Sequence, residues 1–147
     1  MIWTLRIECV TGSNLEGEWV RLVEMDSAST LFDLHELIQD VVRFDRDHPF
    51  EFYAGRNYRH RAVSFDDSED LDAADPTDDL SCREDQTLEQ VFPLPKNLKL
   101  YYHFDFGDDW RFEVRRMRNK PKQPEPRVKY PRVIEATGRN PRQYGRY

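Results

Sequence analysis

Three aspartates beside one glycine are the residues whose types and spacing most directly suggest chemistry. They stand in the run Asp105-Phe106-Gly107-Asp108-Asp109. Grouped carboxylates supply the oxygen ligands that hard cations such as Mg²⁺ prefer. The same residues suit a tight turn, because Asp tolerates turn geometry and accepts hydrogen bonds from nearby backbone N–H groups. We favour the turn and keep a divalent cation at Asp105, Asp108 and Asp109 as the alternative; no other cofactor is predicted.

A histidine stands two positions before this group. Residues two apart in a strand point to the same side of a sheet, so His103 and Asp105 are expected to share one face. A carboxylate beside an imidazole could orient a general base, although a half-buried polar pair is the interpretation we favour. His35 lies off the apolar stripe of its helix and is expected to be exposed or to bond a helix–loop junction.

Basic residues concentrate after the aspartate run. Residues 1–110 carry 25 acidic and 10 basic side chains, whereas residues 111–147 carry 3 acidic and 12 basic ones, within a net charge of −6. Arginine offers forked donors to phosphate, and aromatic rings can stack on bases, so contact with nucleic acid is one interpretation. Neutralisation of the acidic body is the one we favour. The predicted phosphate or partner contacts are Arg115, Arg116, Arg118, Lys120 and Lys122.

The length predicts a single domain, residues 1–147, with two charged extensions. Residues 66–85 hold ten acidic residues and one arginine, and repulsion at this density predicts an acidic surface loop. Residues 119–147 are rich in proline and arginine and predict an extended basic arm that packs at only a few apolar positions. Those positions are Val128, Tyr130, Val133 and Ile134.

The composition also excludes several classes of protein. Two cysteines, Cys9 and Cys82, are too few for a disulfide scaffold, and Cys9 is predicted to be buried and inert. No run approaches the ~20 apolar residues that a membrane span needs. The N-terminal residues lack the pattern of a signal peptide. We therefore expect a cytoplasmic protein without membrane contact.

Apolar periodicity predicts the elements that carry these side chains. Residues 3–10 and 18–25 alternate apolar and polar, which is typical of two strands in a hairpin. Thr30 and Asp33 form a capping box at the start of a helix. The apolar stripe of that helix consists of Leu31, Leu34, Leu37, Ile38, Val41 and Val42.

A third strand, a short helical turn and an aromatic hairpin follow this helix. The hairpin spans residues 98–117, with its turn at the aspartate run. Strand, strand, helix, strand, short helical turn, strand is the order of a β-grasp. We therefore predict an α+β fold: a ubiquitin-like mixed sheet crossed by one main helix, with an added C-terminal hairpin and the extended arm.

The hairpin sequence resembles the signature of the plasmid pRiA4b ORF-3-like family. That signature usually reads Tyr-Asp-Phe-Gly-Asp-Asp-Trp, then one residue and His. Residues 30–39 and 130–141 resemble two further family blocks, while Phe112 replaces the His and Phe104 the Tyr. The resemblance implies a β-grasp-like fold and no established activity, with some members carried on plasmids or transposons. The matching run is Phe104-Asp105-Phe106-Gly107-Asp108-Asp109-Trp110.

These observations lead to three hypotheses of function. We favour a small non-enzymatic interaction module that presents the hairpin and the basic arm to a protein partner. An exposed edge strand could accept a partner strand through main-chain bonds. The alternatives are a nucleic-acid-associated accessory protein of plasmids or transposons, linked to recombination, and a metal-dependent hydrolase that uses Asp105, Asp108 and Asp109 with His103.

Overall fold

The structure, a computed structural model, describes residues 1–61 and 81–143. These residues form eight strands and two helices. In chain order the elements are β1 (Ile2–Thr11), β2 (Val20–Asp26), α1 (Leu31–Val42), β3 (Phe50–Asn57), β4 (His60–Arg61), β5 (Ser81–Cys82), α2 (Leu88–Val91), β6 (Lys99–Phe104), β7 (Trp110–Arg116) and β8 (Arg132–Thr137). No helix in this described part is long and apolar enough to cross a membrane.

The strands form a single antiparallel sheet. Their order is β4-β3-β6-β7-β1-β2-β8, and β5 pairs with β3 off this path. A mixed sheet requires a parallel pair, and the described strands contain none. The predicted α+β fold with a helix-crossed β-grasp sheet is therefore wrong. The error arises because β7 stands between β6 and β1 and pairs antiparallel with both, and the order of elements alone does not fix which strand lies beside β1.

Helix α1 begins at the predicted cap and packs its apolar stripe on one face of the sheet. The Asp33 N–H donates to Thr30 Oγ1 at 3.1 Å, and the Thr30 N–H donates to the Asp33 carboxylate at 2.9 Å. Arg43, in the left-handed conformation, ends the helix. The sheet side of this core is largely aromatic. Its fully buried rings include Trp19, Phe52, Tyr102, Phe104, Trp110 and Phe112.

The structure describes the two charged extensions only in part. Residues 66–80 of the acidic loop lie outside the described residues, and Ser81–Cys82 at its end forms β5 beside β3. The basic arm contains β8, a strand that the sequence analysis missed. Within it, Val133 and Ile134 do not pack as predicted: they are 42% and 45% exposed.

Candidate functional site

Asp105 organises the turn of the signature hairpin. Its main chain is left-handed (φ 58°), a conformation that Asp adopts more readily than most residues. Its Oδ1 accepts the Asp108 N–H at 3.2 Å, and its carbonyl oxygen accepts the Asp109 N–H at 2.7 Å. Its own N–H donates to the Pro49 carbonyl at 3.1 Å, and His48 Nε2 lies 3.3 Å from its Oδ2. These contacts fit the turn interpretation.

His103 lies between two carboxylates on the face of the sheet opposite α1. Its Nδ1 is 3.3 Å from Glu51 Oε2, and its Nε2 is 2.9 Å from Asp109 Oδ1. The second contact is close, yet its geometry is not that of a hydrogen bond. The predicted pairing of His103 with Asp105 is not formed. Strand alternation ends at Phe104, and the left-handed Asp105 turns toward His48 instead.

Two arginines complete this charged cluster. Arg61 binds Glu51 through both terminal nitrogens. Arg111 Nε donates to Asp109 Oδ1 at 2.7 Å, and Arg111 Nη1 donates to the Tyr53 hydroxyl at 2.8 Å. Each carboxylate is therefore neutralised by its own arginine. The charged cluster consists of Glu51, Arg61, His103, Asp109 and Arg111.

The pKa values that shift in this cluster and on the adjacent Tyr53 and Tyr101 move away from neutrality. Burial raises the pKa of Glu51, but hydrogen bonds from His103 and Arg61 outweigh it, so the pKa falls from 4.5 to about 2. Burial raises the pKa of Tyr53, and it raises the pKa of Tyr101 to about 12. A general acid or base works best with a pKa near the working pH. These three groups are therefore suited to a fixed structural network.

The three signature aspartates serve three separate partners. Asp105 binds turn amides, Asp108 Oδ1 accepts from the Ser13 hydroxyl at 3.3 Å, and Asp109 is bound by Arg111. Among the residues that the structure describes, no group of three or more His, Cys, Asp or Glu side chains is arranged to hold a metal ion. The divalent-cation site stays a prediction without geometric support.

The signature hairpin packs against the core rather than around a cavity. Phe104 and Trp110 are fully buried. None of the four principal cavities found in the described structure is lined by residues 104–110. Phe106 is the exception, because it is 51% exposed and its ring centroid lies 4.7 Å from that of His103. Most of the signature therefore accounts for architecture.

His35, expected at the surface, is buried. Its ring stacks on Phe50 with centroids 3.7 Å apart, and its Nδ1 lies 2.5 Å from the Tyr102 hydroxyl. Gln39 Nε2 donates to the same hydroxyl at 3.0 Å. Burial lowers the pKa of His35 and raises that of Tyr102, which keeps both side chains neutral. The prediction failed because the face of α1 that contacts the sheet is wider than its apolar stripe. Cys9 is buried as predicted, and burial raises its pKa to about 12.

Part of the basic arm neutralises the acidic body. Lys122 Nζ lies 2.8 Å from Glu24 Oε2, and Arg132 Nε lies 2.6 Å from Glu24 Oε1. Both also contact Glu125, at 3.5 and 3.2 Å. The hydrogen bond from Lys122 is the largest cause that lowers the pKa of Glu24. Lys122 is therefore occupied within the protein.

The other four residues that were predicted to contact phosphate or a partner have different surroundings from Lys122. Arg115 Nη2 lies 3.0 Å from Glu113 Oε1. The Arg116 guanidinium lies 3.8 Å from the centroid of the Trp3 ring. Arg118 and Lys120 are exposed and form no ion pair with a described residue. The predicted group is therefore not one continuous surface.

β8 forms an edge of the described sheet. Its only strand partner in the described chain is β2, through pairs that include Val23 with Val133 and Val20 with Thr137. All its residues except Arg132 are exposed. The sequence carried a signal for this strand, because three β-branched residues, Val133, Ile134 and Thr137, stand between Pro131 and Gly138.

Comparison with known proteins gives a family and a fold. The family model described as Plasmid pRiA4b ORF-3-like protein matches residues 9–143. A crystal structure of a protein of unknown function from Methanosarcina mazei Go1 is similar, with a TM-score of 0.64 and 22% identity over 92% of this chain and 68% of that chain. Likeness at this identity concerns the fold alone. No curated protein matches the chain.

Proposed function

Because the chain belongs to the plasmid pRiA4b ORF-3-like family, whose similar solved structure is titled only as a protein of unknown function, we propose a function from the geometry. The protein is a non-enzymatic interaction module that binds an extended segment of a partner protein along β8. The open edge of β8 is the observation that supports this proposal.

Main-chain groups provide the first part of the binding surface. A strand at the end of a sheet has N–H and C=O groups on its outer side that can pair with another strand. β8 stands last in the order of the described sheet and is six residues long. Strand addition at such an edge supplies affinity through the main chain and selectivity through alternate side chains.

Two exposed apolar side chains provide the second part. Val133 and Ile134 are 42% and 45% exposed. β-branched side chains pack well against a neighbouring strand. A partner strand with valine, isoleucine or threonine opposite these positions would bury surface that now faces water.

The charged residues in and beside β8 indicate the chemistry of the partner. Lys129 and Arg139 are exposed on either side of β8, and neither forms an ion pair with a described residue. Glu135 is the single acidic residue of the strand. A second copy of this chain would bring like cations together, whereas an acidic segment would pair with them. The partner is therefore an extended segment with acidic and β-branched residues.

Selection from a displayed library of random linear peptides tests this function. We expect the enriched peptides to combine acidic and β-branched residues. Ile134→Lys should weaken their binding at least about tenfold, because a lysine on an edge strand opposes pairing. Phe32→Lys is the matched control, since Phe32 is 42% exposed on α1, and it should bind like the wild type.

Three results would overturn the proposal. One is the absence of enriched peptides of this type. Another is equal binding by the Ile134→Lys and wild-type proteins. The third is a wild-type protein that forms a dimer which Ile134→Lys dissociates, since the edge would then serve self-association.

The two alternative functions have weaker support. A nucleic-acid-associated role rests on exposed cations such as Arg118 and Lys120, while Lys122 is bound to Glu24. A metal-dependent hydrolase rests on aspartates that serve separate partners in the hairpin. Both remain proposals that the β8 experiment does not address.

A further inference from the structure

A cavity of about 350 Å³ opens beside β7, between this strand and the segment that follows α2. We propose that it binds an organic anion, with a phosphate or carboxylate group attached to an apolar body. The cavity lies away from β8 and does not depend on the function proposed for that strand. Its apolar lining includes Phe92, Leu94, Leu98 and Val114.

Four cations line the same cavity. They are Lys96, Lys99, Arg115 and Arg116, and only one acidic residue, Glu113, accompanies them. Glu113 forms an ion pair with Arg115, with Arg115 Nη2 3.0 Å from Glu113 Oε1. The other three cations form no ion pair with any residue that the structure describes. Three of the four cations in the cavity are therefore not neutralised by a described carboxylate.

A turn presents the two lysines. The Leu98 N–H donates to the Pro95 carbonyl at 3.1 Å, which closes the loop that holds Lys96. Asn97 occupies the left-handed conformation that this turn requires, with φ 69°. Lys99 follows as the first residue of β6, and its side chain is exposed. Both lysines are thus placed at the rim by main-chain geometry.

Arg116 is held in a fixed orientation. Its guanidinium lies over the Trp3 ring, 3.8 Å from the centroid. Stacking of this kind fixes the plane of the guanidinium and leaves its N–H groups at the edge, where they can bind a planar or tetrahedral anion. Side chains fixed in this way lose little freedom when an anion binds, which favours affinity.

The combination of lining and charge defines the ligand class. The volume falls within the range of about 300–1,000 Å³ typical of small-molecule sites. Apolar walls concentrate the field of nearby cations, because they exclude water. An inorganic anion would leave the apolar lining unused, and a neutral apolar compound would leave the cations unused. An organic anion uses both.

Calorimetric titration of the full chain tests this site with 1-naphthyl phosphate as the probe. We expect it to bind at least about tenfold more tightly than either 1-naphthol or inorganic phosphate, because each of these supplies one half of the interaction. 1-Naphthoate carries a carboxylate in place of the phosphate group. We expect it to bind more weakly than 1-naphthyl phosphate. Affinity should fall as sodium chloride rises, because salt screens exposed cations.

A paired variant and its control locate the site. Lys96→Gln combined with Lys99→Gln should weaken binding of 1-naphthyl phosphate about tenfold, and both side chains are exposed, so the fold should persist. Arg43→Gln combined with Arg127→Gln removes the same charge at exposed positions outside the cavity and should leave the affinity within about twofold. The proposal is overturned if 1-naphthyl phosphate, 1-naphthol and inorganic phosphate bind alike, or if both double variants lose affinity equally.

Discussion

Asp105 makes four polar contacts that close the signature hairpin, with Asp108, Asp109, Pro49 and His48. Its turn role was predictable, because an aspartate next to a Phe-Gly pair suits a turn. The partners of His103 were not predictable. Glu51 reaches it only because the register of β3 and β6 sets the two residues opposite one another. Contacts made within a turn can be predicted from sequence, and contacts across strands depend on pairing.

Replacement of the turn carboxylate should destabilise the protein. Asp105→Ala removes an acceptor from a buried position and puts a less tolerant residue at φ 58°, so we expect a loss of about 2–4 kcal/mol. Asp105→Asn keeps an acceptor oxygen and should lose less than half as much. Urea unfolding measures both. An Asp105→Ala protein as stable as the wild type would contradict the structural role of this residue.

The charged cluster should make stability depend on acid pH through Glu51. Its pKa is about 2 in the folded protein against an ordinary 4.5, so the unfolded chain binds the proton first as pH falls. The stabilisation is complete above about pH 4.5 and is lost as the pH falls toward 2. Between pH 5 and 2.5 we expect the wild type to lose about 1–2 kcal/mol more than Glu51→Gln, with allowance for solvent screening.

Unfolding by urea at a series of pH values measures this difference. Glu16→Gln is the matched control, because Glu16 is exposed and forms no ion pair with a described residue, and it should follow the wild-type profile. Parallel pH profiles for the wild type and Glu51→Gln would show that the charged cluster does not stabilise the fold.

At the scale of elements, α1 and β8 show where prediction succeeds and where it fails. The start of α1 was predicted because its capping box and apolar stripe are local features. β8 was missed because an arginine- and proline-rich segment gives a weak strand signal, and its pairing with β2 joins residues more than 100 positions apart. The predicted fold class was also wrong because it depended on pairing between strands that are far apart in the sequence. Element order was predicted correctly in outline, and pairing direction was not.

At Gly138, directly after β8, the backbone passes close to Glu18, just before β2. It has φ 87°, and a Cβ there would lie 1.7 Å from the Glu18 carbonyl oxygen. Gly138→Ala should therefore loosen β8 from β2, with faster amide hydrogen exchange along β8 and unchanged protection in α1.

Gly17→Ala separates backbone strain from steric contact. Gly17 has a similar φ of 78°, and nothing lies within 4 Å of the position that an alanine methyl group would take there. This control should keep normal exchange in β8. Equal exchange rates in both variants would mean that the close approach at Gly138 does not hold the strand.

At the scale of the whole molecule, the division of charge has a partial structural explanation. Glu24 gathers Lys122 and Arg132, so the arm neutralises the body at one buried position. Four other cations form no ion pair with a described residue: Lys96, Lys99, Lys129 and Arg139. The first two were missed as a group because they stand before the basic segment and join Arg116 only through the fold. These cations are where an anionic ligand or an acidic partner can act.

Amide hydrogen exchange along residues 132–137, with and without a library-selected peptide, is the decisive measurement for partner binding at β8. Strand addition pairs only the amides that point away from β2, so we predict new protection at alternate residues of β8. The remaining amides already face β2 and should change little. Peptide binding that leaves the whole of β8 unchanged, or that protects the signature hairpin instead, would contradict the proposed edge.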